Sequence, residues 1–173
     1  MLNILKYPDP RLKEISTPVG FEQVSSLKGF CKDLIGTASG TPNCAGLAAP
    51  QVGVLKRIIV VFLGKKDFAG KMIPTLMINP TLVNPFEVDG VERDIGSQQV
   101  TEGCLSVPGA FTKVKRPSTV GLMYLDMEGE EHKLVLRDFQ ATLVQHEIDH
   151  LDGILFIDRI SQTKRDRLIG KGR

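Results

Sequence analysis

Apolar and polar residues change period several times along the chain. Over residues 22–36, Val24, Leu27, Cys31, Leu34 and Ile35 recur at three- and four-residue steps with polar residues between them, which predicts a helix with one buried face ending near Gly36. Cys31 falls on that stripe and reads as a small core residue. Residues 57–63 are β-branched and apolar, a buried strand, and 75–79 and 81–83 read as short strands split by Pro80. Residues 119–126 and 131–136 alternate around Met127-Glu128-Gly129-Glu130, the pattern of a β-hairpin. A second helix is expected over about 138–151, capped by Asp138 and stopped near Gly153. The remaining segments lack a period. Residues 1–20, with Pro8, Pro10 and Pro18, predict an extended arm, 37–45 a small polar loop, and 84–100 an exposed loop or irregular hairpin. The stretch 102–109 reads as an irregular turn holding a cysteine, 154–157 as a short apolar run, and the chain from Ile160 onward as a short basic helix.

The second helix carries the chemistry. Val144-Gln145-His146-Glu147-Ile148-Asp149-His150 places two of the chain's three histidines four residues apart, on one helical face, where both imidazoles can reach a single ion. Glu147 follows the first histidine, where it can move protons on an ion-activated water without ligating. A polar helix face with two unrelated histidines has the same five-residue pattern. A catalytic site of this type wants a third protein ligand, and the candidates are Cys104, Cys44, His132 and nearby acids. His132 lies in a polar hairpin strand and reads as exposed. Cys104, framed by Gly103 and Pro108-Gly109, is preferred as a soft thiolate donor, although a buried structural thiol fits the same residues.

Composition narrows the class. The chain has 173 residues, 42% hydrophobic and 24% charged, which suits one soluble domain over 1–173 with its own core. A net charge of +2 argues against DNA or a membrane surface as the main partner. Three irregularly spaced cysteines, Cys31, Cys44 and Cys104, make no disulfide framework, and reduced thiols fit a cytoplasmic setting, with a processed organelle form also compatible. No stretch is long and apolar enough to span a bilayer.

Three motifs occur in a telling order: Gly46-Leu47-Ala48-Ala49-Pro50-Gln51, then Glu102-Gly103-Cys104-Leu105-Ser106, then Gln145-His146-Glu147-Ile148-Asp149-His150-Leu151. Together they resemble the signature motifs of peptide deformylases. Leu5-Lys6-Tyr7-Pro8-Asp9-Pro10-Arg11-Leu12, the strand at Arg57-Ile58-Ile59-Val60-Val61 and the stretch from Leu151 to Ser161 extend the resemblance over nearly the whole chain. The resemblance implies an α+β fold with antiparallel β-sheets packed around a central metal-binding helix. It implies hydrolysis of the formyl group from the N-terminal formyl-methionine of nascent polypeptides. Cys104, His146 and His150 would hold one divalent metal, iron(II) in the cell, with zinc, nickel or cobalt as substitutes in purified protein. Glu147 would act as general base and acid while metal-bound water attacks the formyl carbon. Gln51 and the backbone N–H of Leu105 would stabilise the oxyanion. Gly46, with Cys44 and Ala45, would line the substrate peptide, and Glu102 would pair with Arg116 to stiffen the Cys104 turn.

The chain departs from the family pattern at Cys44, Ala45, Phe111, Asp138 and Thr142, positions expected around the side-chain pocket and peptide groove, so the departures bear on substrate preference more than on the reaction. A zinc peptidase with a downstream third ligand is disfavoured, because the 23 residues after His150 contain no Cys or His and only Asp152, Asp158 and Asp166 as acids. A formyl-peptide-binding module without catalysis would more naturally lack Glu147 or Gln51, and both are present. The basic tail, with Lys164, Arg165, Arg167, Lys171 and Arg173, admits a weak contact with ribosomal RNA but reads first as a solvated face.

Overall fold

The computed structural model describes residues 1–170, so the tail positions Lys171 and Arg173 lie outside the described residues. In chain order its strands are β1 (Gly46–Ala48), β2 (Ile58–Val61), β3 (Thr75–Val83), β4 (Gln98–Cys104), β5 (Val107–Arg116), β6 (Thr119–Leu125) and β7 (Glu131–Arg137). Its α-helices are α1 (Phe21–Gly40), α2 (Pro85–Asp89), α3 (Asp138–Leu151) and α4 (Gln162–Gly170). The result is α+β, with an antiparallel five-stranded sheet ordered β1-β2-β3-β6-β7 and a separate β4-β5 hairpin. No helix among the described residues is long and apolar enough to cross a membrane.

The four residues of β2 are all buried, which requires cover on both sheet faces. Successive side chains of a strand point to opposite faces. Ile58 and Val60 therefore join Val24, Cys31, Leu34 and Ala38 of α1, whereas Ile59 and Val61 join Ala141, Val144, Ile148 and Leu151 of α3. The hairpin closes a third cluster, in which Val107, Ala110 and Val114 meet Leu5 and Leu12 of the N-terminal arm and Leu155, Phe156 and Ile157 after α3. The arm also ties both site-bearing turns together: Leu5 N–H donates to the Gln51 carbonyl and Tyr7 N–H to the Ser106 carbonyl, each at 2.7 Å.

Several segments differ from the sequence expectation. Helix α1 runs past Gly36 to Gly40, because Thr37 and Ala38 extend its buried stripe and the Thr37 hydroxyl bonds back to the Asp33 carbonyl at 2.7 Å. Residues 75–83 form one strand rather than two. Pro80 falls at a break in the β3–β6 register, beside Asn79 at φ 51°, whose side-chain amide bonds both N–H and C=O of Val19. The region 84–100 contains α2 and the start of β4, and 102–109 is the tip of the β4–β5 hairpin. Asp138 does not cap α3. It is the helix's first residue, at φ 49°, with Arg137 as N-cap. Aspartate is among the few side chains that tolerate this left-handed conformation.

Candidate active site

Residues Ala141 to Leu151 of α3 are all buried, including Gln145, His146, Glu147, Asp149 and His150. So dense a run of polar side chains is tolerated inside a protein only when the groups are paired or ligating. His146 and His150, one turn apart, face the end of β4, where Cys104 sits; one ligand atom from each of the three lies within 4.8 Å of the others. Cys104 Sγ is 3.2 Å from His150 Nε2. His146 Nδ1 is 2.8 Å from Glu102 Oε2, which leaves Nε2 for the site. Glu102 is in turn bonded by Arg116, whose Nη2 lies 2.9 Å from Oε2. His132 is not part of this group: it is half-exposed and pairs with Asp126 at 2.6 Å.

The electrostatics follow from this packing. Burial favours the Cys104 thiol, but the neighbouring imidazoles of His150 and His146 outweigh it and hold the group well below its usual range, as a thiolate. Burial works against a charged His146, yet hydrogen bonds to Cys104 and Glu102 raise it to about 10. Burial likewise opposes ionisation of Glu102, and the hydrogen bonds from Arg116 and His146 still bring it down to about 2. The cluster thus sets a positive charge against the thiolate, in the place a metal cation would take. One thiolate and two imidazoles suit zinc or iron(II), and the Glu102 contact fixes the His146 tautomer as ligating histidines require.

Glu147 points into the same space from α3. It is 3% exposed and its Oε2 has no hydrogen-bond partner. Burial pushes its carboxyl up to about 7, against the pull of His146 and His150. Gly46 lies directly against it: a Cβ at that position would stand 2.5 Å from Glu147 Oε1. Strand β1 is an edge strand. Gly46 is opposite Val61 in the β1–β2 register, while Phe62 N–H donates to the Ala45 carbonyl at 2.9 Å. This antiparallel register turns the Gly46 N–H and C=O away from β2, toward the free edge. The Cys44 thiol donates to the Gly46 carbonyl at 3.2 Å, and burial beside the Glu147 carboxylate pushes that thiol up to about 12.

Gln51 is 2% exposed and held in one orientation. Its Oε1 accepts from Ala48 N–H at 2.8 Å, so its amide NH2 faces Ser106 Oγ at 3.1 Å and Cys104 Sγ at 3.5 Å. Leu105 follows Cys104 in the hairpin turn, and its carbonyl accepts from Lys6 Nζ at 2.6 Å. These groups border a cavity of about 560 Å³ lined by Cys44, Ala45, Gly46, Gln51, Cys104, Leu105, His146 and Glu147. Phe111 and Phe139 stand at its rim, largely exposed, and Thr142 is satisfied by Gln98 Nε2 at 3.1 Å.

Sequence reasoning missed Ser106, Asp149 and Arg159. Ser106 is fully buried beneath Gln51. Asp149 accepts from Arg116 Nη1 at 2.9 Å and from Arg159 Nε at 2.5 Å. The one sequence signal for Asp149 was its place inside the histidine motif, where a carboxylate next to His150 must be neutralised if the helix is buried.

Comparison with known proteins identifies the family. The sequence model of the polypeptide deformylase family matches residues 1–166. A peptide deformylase of Rhizorhabdus wittichii is 44% identical, over 97% of this chain and 91% of its own. The crystal structure of a peptide deformylase from Legionella pneumophila superposes with a TM-score of 0.81 at 35% identity, covering 99% of this chain and 95% of the other. A Met-Ala-Ser-bound class I type b peptide deformylase from Acinetobacter baumannii gives 0.75 at 33% identity, over 92% and 98% of the two chains. With the motifs, the fold and these relatives in agreement over almost its full length, the chain belongs to the peptide deformylase family of metal-dependent hydrolases.

Proposed function

We propose that this chain hydrolyses the formyl group from N-formylmethionyl peptides, with Cys104, His146 and His150 holding iron(II) in the cell. The observation that carries the reading is the buried, unpartnered Glu147 carboxylate oxygen beside the three ligand residues and against the Gly46 edge. An ion bound there supplies Lewis acidity and lowers the pKa of water toward ~7.

The chain's own groups do the rest. The free edge of β1 receives the formyl peptide as an added strand, with Gly46 N–H and C=O as its pairing groups. Glu147 takes a proton from the attacking water and passes one to the departing amine, so that formate and a free methionyl amino group leave. The Gln51 amide and the Leu105 backbone N–H donate to the oxygen that becomes negative at the tetrahedral stage. Gln51 is oriented by Ala48 N–H and Ser106 Oγ, and its second N–H, which faces Cys104 Sγ at 3.5 Å, is the one available to the oxyanion. Replacing Gln51 by Ala is expected to lower kcat on the order of 100-fold with little change in KM, as read from initial rates.

The test is mass spectrometry of formyl-Met-Ala-Ser after incubation with the metal-loaded protein. Loss of the formyl group with both peptide bonds intact supports the reading. Cleavage inside the tripeptide would assign the site to a peptidase. An untouched peptide that binds would assign it to a binding module.

A further inference from the structure

We infer that Arg159 and Asp149 are positioning residues for the metal-ligand cluster, acting through Arg116 and Glu102 on His146. The contacts form one unbroken chain. Arg159 Nε lies 2.5 Å from Asp149 Oδ2 and its Nη2 also bonds Oδ1. Arg116 Nη1 is 2.9 Å from the same Asp149 Oδ2, and its Nε and Nη2 grip both oxygens of Glu102. Glu102 Oε2 meets His146 Nδ1 at 2.8 Å. The three inner side chains are nearly inaccessible: 2% for Arg116, 4% for Glu102 and 7% for Asp149, against 40% for Arg159.

Charge balance makes the outer member matter. Asp149 and Glu102 are matched by Arg116 and Arg159, so the chain is neutral as built. Without Arg159, two buried carboxylates share the single guanidinium of Arg116. An unbalanced buried carboxylate is costly, and Arg116, which bonds both Asp149 and Glu102, is placed to shift toward it. Any such shift loosens Arg116 on Glu102 and hence Glu102 on the His146 imidazole. Arg159 lies in the short turn Phe156–Arg159 beyond α3, so the C-terminal segment reports on the ligand cluster through this chain.

Plain stabilisation gives a different expectation. Loss of a counter-charge to the buried Asp149 would by itself lower the melting temperature of the metal-free Arg159→Met protein and leave ion release at the wild-type rate. The inference rests on Cys104, His146 and His150 holding the ion, so metal content of the unsubstituted protein is measured first; a chain that holds no ion fails that reading itself. Given a loaded wild type, release of cobalt(II) or zinc(II) to excess chelator is followed for each variant. Arg159→Met is expected to release its ion about 10- to 100-fold faster, with KM for formyl peptide unchanged. Arg159→Lys should recover part of the loss. The double variant D149N/R159M, neutral again, should recover most of it. Release from Arg159→Met at the wild-type rate overturns the inference. So does a double variant no slower than the single one, because that outcome marks a lost contact rather than a lost balance.

Discussion

Glu147→Gln is expected to lower kcat on the order of 1,000-fold while the protein keeps its metal and its KM. The substitution preserves the shape that packs against Gly46, and it leaves Cys104, His146 and His150 untouched. What it removes is the capacity to take up and return a proton, a contribution of about 10²- to 10⁴-fold in rate. Loss of metal together with activity in this variant would move Glu147 from proton transfer to ligation. The same variant has a second, independent signature in the metal-free protein. Burial raises the folded-state pKa of Glu147 to about 7, above the ordinary carboxylate value. Between those two pH values the folded chain holds a proton that the unfolded chain has already lost, so the wild type loses stability as pH rises through that window. Metal-free Glu147→Gln should melt with the wild type at low pH, gain on it from about pH 4.5, and hold a constant advantage above about 7. Thermal melts at stepped pH measure this directly.

Gly46→Ala is the second large effect. The added Cβ would stand 2.5 Å from Glu147 Oε1, 2.8 Å from Cδ and 2.9 Å from Cγ, so either the carboxylate or strand β1 must move. Both belong to the proposed machinery, one as base and the other as the edge that receives the peptide. A displacement on the order of 1 Å at a reacting group costs about 100-fold in rate, and the disturbed edge should raise KM in addition. Overpacking should also lower stability by about 1–3 kcal/mol. In the double variant G46A/E147A the methyl has room. Stability should return there while activity does not. If Gly46→Ala costs as much stability without the Glu147 side chain as with it, the close approach is not the cause.

How much of this was legible in the sequence depended on whether local period or tertiary context decided each element. Helix α3 was expected over about 138–151 and spans Asp138–Leu151, because its histidine spacing and apolar positions share one period. Strand β2 and the β6–β7 hairpin were equally plain, since β-branched runs and an alternating pair around Glu-Gly leave few other readings. The β4–β5 hairpin was hidden for a physical reason. Its inward-facing residues include the buried Thr112 together with Glu102 and Arg116, which are buried as a mutually neutralising pair, so the alternation carries the wrong polarity. The end of α1 was missed because Gly36 resembles a stop while Thr37 and Ala38 continue the buried stripe. At the site, His146, Glu147 and His150 were visible from spacing alone. Cys104 was preferred from its Gly/Pro-framed turn, with a buried structural thiol as the other reading, and Gln51 needed the resemblance to a family. The Asp149–Arg159 link had no local pattern at all, because a buried chain of counter-charges exists only once distant segments meet.

The most direct test of the central claim is metal content and formate release, measured on the same anaerobically purified sample with formyl-Met-Ala-Ser as substrate. The expected result is one divalent ion per chain with formate released. Both should be lost in His150→Ala, and turnover alone should be lost in Glu147→Gln. Formate released at the full rate from protein stripped of metal would contradict the proposed mechanism. Full metal occupancy without formate, in both iron and zinc forms, would contradict the proposed reaction.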